Sequence, residues 1–479
     1  MQRRVDVKRE KVISIAIPLA VTVILALLPV PQGLSPNAWY YFAVFAGVVA
    51  GLILEPVPVP VVCLIGLVIA ASLQLVSPSP GKSIQWLLSG FSSGTAWLIF
   101  AAYMFATGYE KTGLGRRIAF FLVKVLGRRT LGLGYAVAIS DLVLTPFIPS
   151  NTARSGGTIF PIIKNIPAIY GSAPGETSRK IGAYIMWTAL AATCVTSSMM
   201  LTGLAPNVLA LEMVKNAYNI TWSWKDWFLG FLPVGIILFL STPLLIYWIY
   251  PPETKVTEGV GEWASGELKK MGRITRNEIT MAVLATSALV MWIFCGDILD
   301  NTTVALMVLV AMLLFDIVNW NDFIGNKAGW NIFFFLATLI TLADGLKIVG
   351  FLKWFATMTA SSLAGLPVMW MVILFIAVFF FAHYMFGSLT AHTSALLPVF
   401  LAAAMVVPGM DLKLVAVGMC YTLGLMGIIT PYATGPSPIY YGTGFIKMKD
   451  FWRLGLIFGV IYIGTFLLIG IPYLKWYLS

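Results

Sequence analysis

Apolar runs long enough to cross hydrocarbon recur along the chain, at residues 12–30, 39–54, 59–76, 131–148, 181–204, 227–250, 279–294, 304–318, 367–386, 414–429 and 451–473. A helix needs about 20 such residues to cross roughly 30 Å of bilayer core. In lipid only helices and closed barrels satisfy their own backbone, and the alternating strands of about ten residues that mark a barrel are missing from these runs. With 59% hydrophobic and 11% charged residues, a water-soluble surface is excluded. The sequence therefore predicts an all-α polytopic membrane protein with about 11 transmembrane helices.

Charge reads as topology. The amino-terminal stretch MQRRVDVKREK carries five basic and two acidic residues, and the first apolar run is too long for a cleaved signal. By the positive-inside rule this end is expected in the cytoplasm, together with the basic flanks 116–129 and 447–453, while the base-free turns at Asn37 and at 297–301 face the other side. The net charge of +11 is then a topology signal, and no nucleic-acid partner is expected. The four cysteines, Cys63, Cys194, Cys295 and Cys420, lie in or at the ends of apolar runs and read as small core residues. No metal site or cofactor is expected.

A polar stretch at 251–277, PPETKVTEGVGEWASGELKKMGRITRN, divides the chain into halves 1–250 and 278–479 and reads as a cytoplasmic linker. The halves repeat weakly and in order. Gly108 and Gly113 follow an aromatic run in the first, Gly345 and Gly350 in the second. SNTARSGG (150–157) is answered by AHTSALLP (391–398), TGLAPN (202–207) by TGPSP (434–438), and KDWFLGFLPVG (225–235) by KDFWRLGLIFGV (449–460). Lys225 lies in a base-poor flank and Lys449 in a base-rich one, so the same element is expected on opposite membrane faces. That is an inverted-topology repeat of the kind secondary transporters use. A re-entrant hairpin is expected at about 83–108 in the first half and about 323–345 in the second, with helix breaks at 150–152 and 391–393.

Polar, proline-flanked breaks inside lipid are tolerated only where protein or a watery cavity satisfies the freed backbone. Matching breaks in two halves point to a binding site near the midplane. Helix amino termini offer free N–H groups and partial positive charge, which suits an anion. Asn151 adds amide donors; Ser150, Thr152, Thr393 and Ser394 add hydroxyls; the later turns contribute Thr202, Pro206, Thr434 and Pro436. Arg154 and His392 can supply positive charge.

These motifs resemble the divalent anion:sodium symporter family. The runs WYYFAVFAGVVAGLILEPVPVP, GYEKTGLGRRIAFFLVK, PSNTARSGGTIFPIIKNIP and TPYATGPSPIYYG are similar to its exchanger branch of bacterial citrate:succinate and tartrate:succinate antiporters and plastid 2-oxoglutarate/malate translocators. The resemblance implies a homodimer, a scaffold and a transport part in each protomer, two re-entrant hairpins and elevator-type alternating access. It also implies exchange of C4–C5 dicarboxylates such as malate, succinate, fumarate or 2-oxoglutarate, or of related tricarboxylates, in a cytoplasmic membrane. Sodium-coupled members carry two Ser-Asn-Thr motifs that help hold Na⁺. Here the first is intact at 150–152, whereas the second reads as Ala391-His392-Thr393. Arg154 and His392 are therefore expected to stand in for the two sodium ions as fixed positive charge.

Other features carry structural readings. His383 lies on a phenylalanine-rich face and reads as a packed helix residue, and Asp141 and Asp344 are expected to pair with a base or cap a hairpin. Trp39, Trp222, Trp224, Trp227 and Trp452 read as interfacial anchors. The GKS at 81–83 lacks the earlier glycine of a phosphate loop. With two histidines, no HExxH and no recognisable paired-aspartate motif, an intramembrane enzyme is not expected. A Na⁺-coupled dicarboxylate symporter that keeps one sodium site is the competing reading, and an anion channel a remote one.

Overall fold

Breaks between short helices, more than the long spans, organise this molecule. The computed structural model describes residues 2–359 and 367–479, with side chains at 13–358 and 367–479; the side chains of the basic amino-terminal flank lie outside the described residues. Every named element among the described residues is helical. The first half runs through α1 (Gln2–Leu27), α2 (Pro36–Leu54), α3 (Val59–Ser72), α4 (Pro80–Leu88), α5 (Gly94–Thr112), α6 (Leu114–Leu126) and α7 (Thr130–Leu144). A π-helical segment, Thr152–Ile159, then runs into α8 (Phe160–Ile163), followed by α9 (Ile166–Ile169), α10 (Gly182–Met199), α11 (Ala205–Tyr218) and α12 (Trp224–Ile249). The polar stretch is itself partly helical, forming α13 (Glu258–Met271). The second half comprises α14 (Arg276–Phe294), α15 (Asn301–Leu314), α16 (Trp320–Gly325), α17 (Lys327–Ile348), α18 (Phe351–Thr359), α19 (Val368–Ala382), α20 (Leu389–Met405), α21 (Leu412–Leu425), α22 (Pro436–Gly442), α23 (Met448–Thr465) and α24 (Ile471–Leu478). Seven described segments have the length and composition to cross a membrane alone, and six shorter apolar ones join them.

The stretches expected as re-entrant hairpins are something else. Residues 94–112 and 327–348 form the continuous helices α5 and α17, and α4 packs on α3 and α17 instead of folding back along α5. The elements that do fold back are α7 with the π segment, across the tip 145–151, and α19 with α20, across the tip 383–388. The arms α7 and α19 are 15 residues each, about 22 Å at 1.5 Å per residue, too short to cross a bilayer. The Phe- and Trp-rich runs at 91–105 and 323–334 build a ring cluster between α5 and α17, in which Trp97, Phe100, Trp330 and Phe333 meet.

The two halves meet head to tail. Lys111, at the carboxyl end of α5, pairs with Asp322 just ahead of α17 at 2.6 Å, while the Gly90 N–H before α5 donates to Thr341 Oγ1 near the far end of α17 at 3.0 Å. The corresponding helices therefore lie antiparallel. Gly113 and Gly350, the second members of the two glycine pairs, both take left-handed backbone, with φ of +77° and +82°. That conformation is open to glycine at little cost, and it turns each long helix into the short one after it.

The centre is built from α10 and α21. All 18 residues of α10 and 12 of 14 in α21 are buried, as expected for helices apolar on every side. Gly424 lets them touch, since a Cβ there would lie 2.4 Å from Ser198 Oγ. Four of the five tryptophans read as interfacial anchors are core residues instead: Trp39, Trp222, Trp224 and Trp227 are buried. Each indole N–H finds a partner, Leu25 O, Tyr421 Oη, Thr202 Oγ1 and Ser198 O respectively. A buried indole needs such an acceptor, and position at the end of an apolar run does not reveal whether one is near. Trp452 remains 37% exposed. All four cysteines are free, three of them buried.

Cysteines introduced at Asn219 and Lys447 are expected to react with an impermeant thiol reagent from opposite faces, Lys447 from the cytoplasm alone. Reaction of both from one face would refute the inverted arrangement.

Candidate functional site

Both hairpin tips present the start of a helix. At the first, Ser150 Oγ accepts from the Ala153 N–H at 3.2 Å and the Ser150 carbonyl from the Arg154 N–H at 2.8 Å. At the second, Ser388 Oγ accepts from the Ala391 N–H at 3.3 Å and the Ser388 carbonyl from the His392 N–H at 3.0 Å. The two caps are the same device. They set the register of the internal repeat: Ser150-Asn151-Thr152-Ala153-Arg154 matches Ser388-Leu389-Thr390-Ala391-His392. The sequence reading had placed the second motif three residues late, at 391–393. The serine is retained there, and Leu389 stands where the first half has Asn151.

A cavity of about 250 Å³ opens between the tips, lined by Tyr103, Pro149 to Thr152, Leu204 to Pro206, Ile332, Gly387 to Thr390, Thr434 and Gly435. Four helices begin at its wall: the π segment with α8, α11, α20 and α22. Pro206 and Pro436 sit in the first turns of α11 and α22, where a missing N–H costs nothing. Asn151 bridges the halves, its Nδ2 donating to Thr434 Oγ1 at 2.7 Å. Behind that contact Gly435 lies against Thr152 so closely that a Cβ would fall 1.8 Å from Thr152 Oγ1.

Of the residues singled out from sequence, Ser150, Asn151, Thr152, Pro206 and Thr434 meet at this cavity. The others lie elsewhere. Thr393 and Ser394 sit one turn deeper in α20 and donate to the carbonyls of Leu389 and Thr390, at 2.8 and 2.6 Å. Thr202 donates to the Pro146 carbonyl at 2.7 Å and braces the first tip. Pro436 adjoins the lining residue Gly435 and is itself buried. Sequence reasoning missed Ser388, Leu389, Thr390, Tyr103 and Ile332. The five-residue match of the caps was the available signal for the first three.

Arg154 points away from the cavity. Its guanidinium is fully buried and ringed by oxygens: Asp141 Oδ2 at 3.1 Å, the carbonyls of Ile148 and Gly203 both at 2.8 Å, Thr193 Oγ1 at 3.2 Å and Ser197 Oγ at 2.9 Å. Asp141 also accepts from Thr196. The expected partner for Asp141 is thus Arg154 itself, and the pair has no net charge. His392, at the same position of the second motif, is also fully buried. Its ring meets Phe379 and Phe386 edge-on, at 4.4 and 5.2 Å between centroids, and neither nitrogen has a hydrogen-bond partner among the described residues. His383 meets it edge-on at 5.0 Å and bonds the Ala433 carbonyl at 2.7 Å. The helical repeat explains both placements: two positions beyond a residue that faces the cavity, a side chain emerges near the opposite side.

Comparisons agree on the kind of protein this is similar to. The sequence profile of the family described as sodium:sulfate symporter transmembrane region matches residues 9–479. The L-tartrate/succinate antiporter of Escherichia coli (strain K12) is 50% identical over 467 residues, covering 95% of this chain and 96% of the antiporter. The protein of the same name from Shigella sonnei (strain Ss046) matches to the same extent. Among solved structures, the Alcanivorax borkumensis YdaH transporter superposes with a TM-score of 0.57 at 16% identity, covering 88% of this chain and 99% of that one, a likeness of fold.

Two sets of substitutions check the geometry. Asn151→Ala and Thr390→Ala are expected to weaken binding of a carboxylate anion roughly ten- to hundredfold, since a charge-assisted hydrogen bond contributes about 1.5–3 kcal/mol. Thr393→Ala, whose hydroxyl serves its own helix, should stay within about twofold. Arg154→Met should destabilise the protein by about 3–5 kcal/mol by stranding Asp141, and the double variant Asp141→Leu/Arg154→Met should recover much of that loss. Thermal unfolding in detergent reads this out, and no recovery in the double variant would refute the paired-charge account.

Proposed function

The chain belongs to the sodium:sulfate symporter family, and on that premise we propose that it exchanges C4–C5 dicarboxylates across a cytoplasmic membrane without sodium. The observation that carries the sodium-independent part is the Arg154 cage. Two carbonyls, two hydroxyls and a carboxylate converge behind the first tip, the hard-oxygen surroundings a small cation would take. A guanidinium fixed to the chain occupies them. A dissolved ion is then not needed to hold the tip, which favours exchange over the competing symporter reading. At the second tip the corresponding volume is filled by the His392 ring among aromatic side chains, which offer a cation no oxygen.

The dicarboxylate part is supported by the cavity and by the L-tartrate/succinate antiporters at 50% identity. The fixed-charge idea takes a modified form, because Asp141 balances Arg154. The field that meets the anion then comes from helix starts, each equivalent to about half an elementary charge. The three longer ones, the π segment with α8, α11 and α20, supply about one and a half charges, close to the charge of a dicarboxylate. Ser150, Thr152 and Thr390 hydroxyls and the Asn151 amide complete the donors.

Obligate exchange follows physically. Empty, the pocket would carry bare N–H groups and unmatched positive potential past the hydrophobic barrier; filled, these are satisfied. In the same proposal the halves 1–250 and 278–479, joined by the 251–277 linker, make one protomer, and two protomers form a homodimer. In each, a transport part bearing both hairpins moves against a scaffold that includes α5 and α17, and the amino terminus is cytoplasmic.

Labelled succinate uptake into proteoliposomes tests this. Vesicles preloaded with succinate are expected to take up label equally in Na⁺, K⁺ or choline, and empty vesicles to take up almost none even with an inward Na⁺ gradient. Strong Na⁺-driven uptake into empty vesicles would overturn the exchanger reading in favour of the symporter.

A further inference from the structure

Two side chains at the cavity come from neither hairpin nor either later break. Tyr103 belongs to α5 and Ile332 to α17. These helices pack along each other and against α15 and α3. The cavity end of α5 is pinned in place: Asn326, which caps α17 by accepting from Gly329, donates its amide to the Tyr103 carbonyl at 3.4 Å and to Thr107 Oγ1 at 3.2 Å. Two turns further along the same face, Lys111 pairs with Asp322 at 2.6 Å. Tyr103 is therefore held by contacts within the α5–α17 unit. It nonetheless lines the cavity together with Ser150 of the first hairpin tip.

We infer that Tyr103 is a substrate-contacting residue that acts on one membrane face only and sets the difference in affinity between the two sides. The inference rests on the proposed exchange between two access states. Ser150, Asn151, Thr152 and Thr390 travel with the pocket and serve the anion in both. Tyr103 is anchored outside the hairpins, so a pocket that moves to the other side leaves its hydroxyl behind. The donor is present where the pocket now lies, beside the half of α5 that leads through Gly113 into the basic Arg116 and Arg117. By the positive-inside rule that is the cytoplasmic half. A phenol hydroxyl donating to a carboxylate is a charge-assisted bond in a place largely shielded from water, so its loss is felt in affinity. Ile332 beside it is apolar and cannot replace the donor.

Tyr103→Phe isolates the hydroxyl because the ring and its packing remain. Succinate exchange is measured in right-side-out and in inverted membrane vesicles, with saturating succinate on the far side. The expected result is a rise of roughly three- to tenfold in the cytoplasmic-face KM relative to the outer-face KM, with maximal exchange within about twofold of wild type. Equal KM changes on both faces, or none on either, would overturn the proposal while leaving dicarboxylate exchange intact. Absence of exchange by the wild type would remove the underlying reading, and this proposal with it.

Discussion

Unwound backbone inside a bilayer has to find hydrogen-bond partners, and most of this architecture is the means of supplying them. The first tip, 145–151, exposes carbonyls that no helix uses. Arg154 takes the Ile148 carbonyl, Thr202 takes that of Pro146, and the Ala205 N–H takes that of Pro149 at 2.9 Å. Each partner lies in a neighbouring break or just past the tip, so the two irregular segments of the first half satisfy one another. The second half repeats the logic with different groups: His383 meets the Ala433 carbonyl, and the Tyr432 hydroxyl donates to that of Tyr384 at 3.1 Å. Only after these groups are satisfied can the helix starts keep their remaining N–H groups for a ligand.

The two halves share a backbone device and differ in what lies behind it. The serine caps are superposable in their bonds, whereas Arg154 sits in an oxygen cage and His392 in a box of rings. A guanidinium has five donors and no acceptor, so it can bind hairpin, break and α10 together at once. An imidazole without a hydrogen-bond partner fastens nothing and fills space among rings. The first tip is therefore the more tightly fastened, and it also reaches across to the second half through Asn151 and Thr434, and through Ser155 and Tyr440 at 2.8 Å. The two hairpins are therefore fastened unequally within the fold.

How much of this was legible beforehand depended on the kind of signal. Apolar length gave the all-helical membrane class, and the positions of Ser150, Asn151, Thr152, Pro206 and Thr434 at one cavity followed from polar sequence in an apolar setting. The hairpins expected at about 83–108 and 323–345 fall largely on the long helices α5 and α17, which Gly113 and Gly350 end in left-handed turns. The second motif, expected at Ala391-His392-Thr393 with its serine and amide lost, lies three residues earlier, where Ser388 keeps the cap and Leu389 replaces the amide. Burial was the least readable property: the indoles of Trp224 and Trp227 and the charge of Arg154 are all internal, each stabilised by a partner far away in the chain. Such partners are set by packing, which residue spacing does not encode.

Neutral pairing of Arg154 with Asp141 changes what selects the substrate. A free guanidinium at the cavity would attract any anion, monovalent ones included, with a strength governed by charge alone. Helix starts and hydroxyls act over short distances and in fixed directions, so they reward an anion that places oxygens at both tips simultaneously. On the proposed reading, a dicarboxylate satisfies Ser150 to Thr152 with one end and Ser388 to Thr390 with the other, whereas a monocarboxylate leaves one set of donors bare, a large penalty away from water. On that reading length discrimination arises from the separation of two capped helix starts, and the buried ion pair contributes by holding the first of them in position.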